Sequence, residues 1–211
     1  RWLDEERDPD RPFFLYTCFH EPHEPIASAK RYTDLYPSDD PSYSAHHGNV
    51  TQLDDAFGRL IAALDRLDIR DDTLVTFTSD NGPAITSIHP HGSAGPLRAK
   101  KGHLYDGGIR VPGMVQWPGH VTAGTVSDEP VCGVDMLPTL CELAGAPVPV
   151  DRVLDGATFT PVFAGGQVQR HRPLYWQFNR AGSDIKVAVR DRQWKLVARL
   201  TTPNLPPSGS I

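Results

Sequence analysis

The pattern of apolar and polar residues predicts strands and helices that alternate along the first half of the chain. Residues 12–19, "PFFLYTCF", form a continuous apolar and aromatic run, which is typical of a strand buried on both faces, with Cys18 as a buried free thiol. Between residues 46 and 69, apolar side chains recur at steps of three and four, which predicts an amphipathic helix. Residues 71–79, "DDTLVTFTS", predict a second buried strand. A strand, a helix and a strand at this spacing indicate a βαβ unit and a parallel sheet covered by helices.

The second half changes from long loops to short alternating segments. Residues 85–112 show no periodicity, residues 113–119 predict a short strand, and residues 134–145 predict a helix. After Gly166, the segments "RPLYWQF", "IKVAVRD" and "QWKLVARL" alternate apolar and polar residues, as antiparallel strands with one wet face do. The tail "TTPNLPPSGSI", residues 201–211, predicts a loop. We therefore expect an α/β domain over residues 1–166 and the start of a small β-rich subdomain over residues 167–211.

Composition narrows the classes of protein to consider. The 211 residues are 39% hydrophobic and 22% charged, with a net charge of −5, which indicates a globular protein and gives no basic surface for nucleic acid. No stretch approaches the ~20 consecutive apolar residues that a membrane span needs. The oligomeric state cannot be derived from these features.

Polar side chains of three kinds follow the predicted strands. His20 and His23 come after the first strand, Asp80 and Asn81 come after the second, and Lys101 lies in the long loop. Ligands bind at the carboxyl ends of the strands in open parallel sheets. Asp and Asn oxygens suit a hard cation such as Ca²⁺ or Mg²⁺, and His and Lys beside it suit a tetrahedral anion. The alternative for "DNGP" is a simple turn, because Asn-Gly is a common hairpin signal.

Four segments resemble the formylglycine-dependent sulfatases of the alkaline phosphatase-like superfamily, in the arylsulfatase and galactosamine sulfatase branch. They are "FLYTCFHEPHEP", the block from "LDDAFG" to "TFTSDNG", "GPLRAKKGHLYDGGIRVPG" and "WPGHVTAG", and they occur in the family's order. The resemblance covers about residues 12–166. It implies an alkaline phosphatase-like α/β fold with a mainly parallel central sheet and a small C-terminal antiparallel subdomain.

The resemblance also implies a role for four residues. Asp80 and Asn81 correspond to two ligands of a divalent cation, usually Ca²⁺ in this family, with Mg²⁺ as the alternative. His23 corresponds to the histidine that contacts the sulfate ester and assists the leaving group. Lys101 corresponds to the lysine that binds a sulfate oxygen. The implied substrate is a sulfated carbohydrate or an aryl sulfate, and the implied location is secreted or periplasmic.

One family motif has no counterpart in the sequence. The family nucleophile is a formylglycine made within Cys-x-Pro-Ser-Arg, and none of Cys18, Cys132 and Cys141 lies in such a motif. We therefore expect the chain to be the C-terminal portion of a sulfatase, with the nucleophile in a missing N-terminal region, and to be inactive alone. Two alternatives remain: a phosphonate or phosphodiester hydrolase of the same superfamily, and a non-catalytic protein that binds sulfated glycans. Within "YDGGIRVP", we expect Asp106 and Arg110 to form an ion pair that fixes the loop of Lys101.

Overall fold

The structure, a computed structural model, describes residues 1–87 and 89–200. It consists of two compact units, one formed by Arg1–Val75 with Ala84–Ser93 and one by Thr76–Pro83 with Ala94–Ile211. We call these the first and the second unit. The loop predicted for residues 201–211 lies outside the described residues. The boundary predicted near Gly166 stays a prediction.

The first unit is built around one long helix. A π-helical turn, Trp2–Glu6, and the short helix α1, Lys30–Thr33, precede helix α2, Pro41–Arg66. The predicted amphipathic helix is confirmed, and it begins five residues earlier than predicted. Asp40 explains this start, because its Oδ1 accepts a hydrogen bond from the Ser42 amide at 2.9 Å and Pro41 occupies the first helical turn.

The strand predicted for residues 12–19 is wrong. This segment has no regular secondary structure, and Phe14 and Tyr16 are 69% and 79% exposed. Cys18, predicted to be buried, is also exposed. The apolar run gives the segment the composition of a central strand, but a strand also needs neighbours that take up its backbone hydrogen bonds. No strand among residues 1–87 and 89–200 pairs with it.

The second unit contains most of the elements predicted from residue 71 onward. Strands β1, Val75–Thr78, and β2, Gly113–Gln116, pair in a two-stranded sheet. The short helix α3, Asp106–Ile109, interrupts the long loop between them. Helix α4, Met136–Leu143, follows a 3₁₀ turn at Gly133–Asp135, and a second 3₁₀ turn covers Thr160–Ala164. The predicted strand at residues 113–119 and the predicted helix at residues 134–145 are confirmed.

A buried carboxylate holds the segments around α4 together. Asp135 is fully buried and accepts hydrogen bonds from the amides of Cys132, at 2.7 Å, and Ala157, at 3.0 Å. The Arg170 guanidinium binds both carboxylate oxygens of Asp135, which gives a fork-to-fork ion pair. Because a buried charge needs a partner, this pair fixes residues 167–172 against the start of α4.

The C-terminal strands form a three-stranded antiparallel sheet, as predicted. Strands β3, Leu174–Gln177, β4, Ile185–Asp191, and β5, Trp194–Arg199, lie in the order β3-β4-β5. In the register, Trp176 lies opposite Ala188, and Ala188 lies opposite Val197. Ala188 has no exposed surface, so this face of the sheet packs on the unit, while Tyr175 and Leu196 on the other face are exposed.

Candidate functional site

Asp80 and Asn81 lie in the loop that follows β1. The Asp80 side chain is exposed, and its Oδ1 receives a long hydrogen bond, 3.4 Å, from the Ser79 hydroxyl. The Asn81 Nδ2 atom donates to the Gly82 carbonyl at 3.1 Å, and no donor among residues 1–87 and 89–200 reaches the Asn81 Oδ1. The carboxylate and the amide oxygen are therefore available to a ligand.

Three glycines allow this loop to lie directly on the loop that carries the predicted lysine. The Gly82 amide donates to the Gly108 carbonyl at 3.0 Å, and the Gly107 amide donates to the Arg98 carbonyl at 2.8 Å. A Cβ at Gly82 would overlap the backbone of Gly107, and one at Gly107 would overlap the backbone of Arg98 and Ala99. Only glycine permits backbones to approach this closely. We call Gly82, Gly107 and Gly108 the glycine stack.

Lys101 follows the stack and is tied to the loop of Asp80 through the backbone. Its amide donates to the Pro83 carbonyl at 3.0 Å, two residues after Asn81. The turn before it includes Ala99 with a φ of 69°, a left-handed conformation that a non-glycine residue seldom adopts. No carboxylate in the part of the chain that the structure describes lies within ion-pair distance of the Lys101 ammonium. The structure thus brings Asp80, Asn81 and Lys101 to neighbouring loops of the second unit.

His23 lies in the first unit, in a turn closed by the hydrogen bond from its amide to the His20 carbonyl, 2.9 Å. Its exposed imidazole places Nδ1 2.7 Å from the Glu24 carbonyl oxygen. Because a carbonyl can only accept, Nδ1 carries the proton, and Nε2 is the nitrogen directed elsewhere. The His20 ring is 6.1 Å from the His23 ring, at an interplanar angle of 73°.

The oxygens of Asp80 and Asn81 fit a hard cation in kind but not in number. Ca²⁺ takes six to eight oxygen ligands, and Mg²⁺ takes six. Within residues 1–87 and 89–200, no group of three or more His, Cys, Asp or Glu side chains is placed to hold a metal ion. These two residues would therefore supply part of a coordination sphere.

Models of two protein families match the chain. The family described as Sulfatase matches residues 1–146, and the family described as N-sulphoglucosamine sulphohydrolase, C-terminal, matches residues 99–205. The chain belongs to the sulfatase family. This family comprises sulfuric ester hydrolases, and its members have the alkaline phosphatase-like fold.

Three curated sulfatases share between a third and two fifths of their aligned residues with this chain. Human arylsulfatase A is 39% identical over 167 residues, which cover 79% of this chain and 32% of that protein. Rat steryl-sulfatase is 33% identical over 210 residues, which cover 97% of this chain and 36% of that protein. Human N-acetylgalactosamine-6-sulfatase is 36% identical over 167 residues, which cover 78% of this chain and 31% of that protein. This sulfatase chain thus spans about a third of the length of the curated relatives it matches.

Solved sulfatase structures share the fold. The structure of Ps i-CgsB in complex with k-i-k-neocarrahexaose superposes with a TM-score of 0.81 at 32% sequence identity, covering 94% of this chain and 43% of that one. The PsFucS1 sulfatase from Pseudoalteromonas sp. superposes with a TM-score of 0.67 at 25% identity, covering 86% of this chain and 39% of that one.

Sequence reasoning missed one ion pair beside the site. An ion pair between Asp106 and Arg110 was expected, and this expectation is wrong. Asp106 instead pairs with Lys195 on β5. Arg110 ends α3 in an extended conformation, with φ −96° and ψ 113°, so its side chain is not placed on the helix face of Asp106. The partners are 89 residues apart, and no local signal in the sequence links them.

None of the helices in residues 1–87 and 89–200 is long and apolar enough to cross a membrane.

Proposed function

We propose that this chain forms part of a sulfuric ester hydrolase that cleaves a sulfate monoester on a sugar or an aryl alcohol. Membership of the sulfatase family supports the reaction class. The names of the relatives support a sulfated carbohydrate or aryl substrate, since they include an arylsulfatase and an N-acetylgalactosamine-6-sulfatase, and one solved neighbour holds a neocarrahexaose. We further propose that the enzyme is secreted or periplasmic, in line with the habit of the family.

The observation that carries this proposal is the backbone lock between two loops. The hydrogen bond from the Lys101 amide to the Pro83 carbonyl, together with the glycine stack, ties the backbone of Lys101 to the loop that carries Asp80 and Asn81. A divalent cation held by Asp80 and Asn81 and the ammonium of Lys101 would both supply positive charge to one sulfuryl group. Such fixed positive charges stabilise a transition state because they require no reorganisation during the reaction.

Each of the four candidate residues has a distinct role in the proposed mechanism. Asp80 and Asn81 would hold a divalent cation, Ca²⁺ or Mg²⁺, which when bound offsets negative charge on the sulfuryl oxygens. Lys101 binds a sulfuryl oxygen. His23, with Nδ1 fixed by the Glu24 carbonyl, donates a proton from Nε2 of its charged form to the departing alkoxide.

The nucleophile of this mechanism is not among the residues of the chain. We propose that it is a formylglycine in an N-terminal region of a longer protein. Two further cation ligands would come from the same region. We therefore expect the pure 211-residue chain to show no turnover of an aryl sulfate. Measurable hydrolysis by this chain alone would contradict the placement of the nucleophile.

The test of the proposed function is Asp80→Ala in the full-length protein, with Asp71→Ala as the matched control. Asp71 is also an exposed carboxylate, but it precedes β1 rather than following it. Loss of a cation ligand should empty the site and lower kcat/KM for an aryl sulfate by at least about 100-fold. Asp71→Ala should match the wild type. Elemental analysis and initial rates measure both effects, and an Asp80→Ala protein with full metal content and activity would refute the proposal.

A further inference from the structure

The sheet formed by β3, β4 and β5 touches the segment of Lys101 at two points. The first is the ion pair between Lys195 on β5 and Asp106, with Nζ and Oδ1 2.5 Å apart. The Lys195 side chain is only 14% exposed and that of Asp106 is 31% exposed, so the pair is shielded from most solvent. Asp106 is the first residue of α3, and Gly107 and Gly108 of the glycine stack follow it directly.

The second point is the loop between β3 and β4. The Gly182 amide donates to the Gly102 carbonyl at 2.7 Å, directly after Lys101. The His103 ring lies against Gly182 so closely that a Cβ there would be 2.9 Å from its Cε1 atom. The loop itself is held by the Lys186 ammonium, which donates to the Ala181 carbonyl at 2.8 Å.

These two contacts enclose a short piece of chain. Gly102 is the residue after Lys101, and Asp106 lies four residues further on, so the sheet holds the segment on the C-terminal side of the lysine at both ends. The Pro83 carbonyl holds the Lys101 amide on the other side. The lysine backbone is thus fixed between the loop of Asp80 and the C-terminal sheet.

We propose that Lys195 is a positioning residue for Lys101, so that the C-terminal sheet sets the place of the sulfate-binding ammonium through the Lys195–Asp106 pair. This inference rests on the proposed function for the role of Lys101 in the reaction. Lys195 itself contacts Asp106 and not the substrate. Misplacing a catalytic group by 1 Å can lower the reaction rate by as much as about 100-fold. A fixed partner behind the group prevents this loss.

The same strand offers a matched control. Arg199 on β5 pairs with Asp184 at 3.5 Å, but both side chains are more than 70% exposed. An exposed pair of this kind fixes little. Replacing Arg199 by Met removes a cation from β5 without touching the segment of Lys101.

Backbone hydrogen exchange in the full-length protein tests the proposal without an activity measurement. In Lys195→Met, the peptide covering residues 100–104 should exchange about tenfold faster than in the wild type, while peptides of α2 keep their rates. Arg199→Met should leave residues 100–104 unchanged. Lys195→Arg should restore the wild-type rates, since a cavity of about 340 Å³ lined by Arg98, Tyr105 and Val197 adjoins Lys195 and gives the guanidinium room. Unchanged exchange in Lys195→Met, or faster exchange throughout both units, would overturn the proposal.

Steady-state kinetics of the full-length enzyme test the link to the reaction. Lys195→Met should lower kcat by about 10- to 100-fold. In a Lys101→Met background, the same substitution should have no further effect on kcat, because the group that it positions is gone. Equal effects in both backgrounds would overturn the positioning role. Full activity of Lys101→Met alone would instead refute the proposed function, and hydrogen exchange would still decide whether Lys195 positions the segment.

Discussion

The fold changes the protonation of His46. Its imidazole is partly buried on α2, and the rings of His47 and His91 lie 5.3 Å and 6.1 Å from it. Burial lowers the pKa of His46 below its ordinary value, and positive charge on His47, His91 and His89 lowers this pKa further. Its Nδ1 atom is buried without a hydrogen-bond partner in the described part of the chain.

This environment predicts loss of stability in weak acid. With a folded pKa below the unfolded value of about 6.5, the unfolded chain binds more protons in the interval between the two values. The free energy of unfolding therefore falls as the pH falls below about 6.5, and the loss is complete below the folded pKa. Between about pH 7.5 and about pH 5.5, the urea midpoint of His46→Gln should fall by less than the urea midpoint of the wild type.

A control separates His46 from the other histidines. His91 lies within ion-pair distance of Asp40, and His89 lies within ion-pair distance of Glu24, so neither histidine is a neutral control. His171 is exposed in the second unit, and His171→Gln should keep the wild-type pH dependence. Equal pH dependence of the urea midpoint in all three proteins would contradict a role for His46.

The candidate site residues stay predictions from the sequence, and the contacts that support them could not be predicted. His23, Asp80, Asn81 and Lys101 are candidates because polar residues stand out where apolar runs end, and because the segments resemble a family. The partner of Asp106 was predicted wrongly, because spacing along the chain suggests only local partners. Contacts such as that with Lys195 depend on how distant segments fold back, which one sequence does not encode in any local pattern.

Two glycines of α2 have opposite effects on stability. Gly48 is buried, and a Cβ there would lie 2.9 Å from the Thr33 amide nitrogen at the end of α1. Gly58 is exposed, and a Cβ there would meet nothing within 4 Å. Gly48 therefore allows α1 to pack on α2, whereas Gly58 only adds flexibility to the unfolded chain.

Alanine at these two positions should shift stability in opposite directions. Gly58→Ala should raise the free energy of unfolding by about 0.5–1 kcal/mol, because glycine costs that much in a helix interior. Gly48→Ala should lower it by about 1–3 kcal/mol, the usual cost of overpacking. Urea unfolding followed by circular dichroism measures both. A Gly48→Ala protein as stable as Gly58→Ala would show that α1 does not pack on this glycine.

Secondary structure was predictable where the interactions that stabilise an element come from the element itself or from segments next to it in the sequence. Helix α2 carries its apolar stripe, its N-cap and its hydrogen bonds within one segment, and β3 to β5 are consecutive strands that pair with each other. Residues 12–19 failed, since a central strand depends on partners elsewhere. The apolar composition of residues 12–19 is typical of a central strand, but no strand among the described residues pairs with this segment.

At the scale of the whole molecule, the exposed run at residues 12–19 predicts self-association. Exposed apolar side chains that lie close together favour contacts between chains. Phe14→Ser with Tyr16→Ser should reduce the associated fraction in sedimentation velocity. The control, Val126→Ser with Val150→Ser, changes two valines that are each more than 90% exposed but stand apart from the run. Equal association of the two double variants would contradict the prediction.

The glycine stack has a consequence for the genetics of this protein. Each of the nineteen other amino acids brings a Cβ, and at Gly82, Gly107 and Gly108 that single carbon would overlap backbone atoms that no rotamer change can move aside. Even alanine and serine, the mildest missense changes of a glycine codon, would force the two loops apart. In a saturation library selected for function, these three codons should tolerate only synonymous changes, although none of the three residues would bind substrate through a side chain.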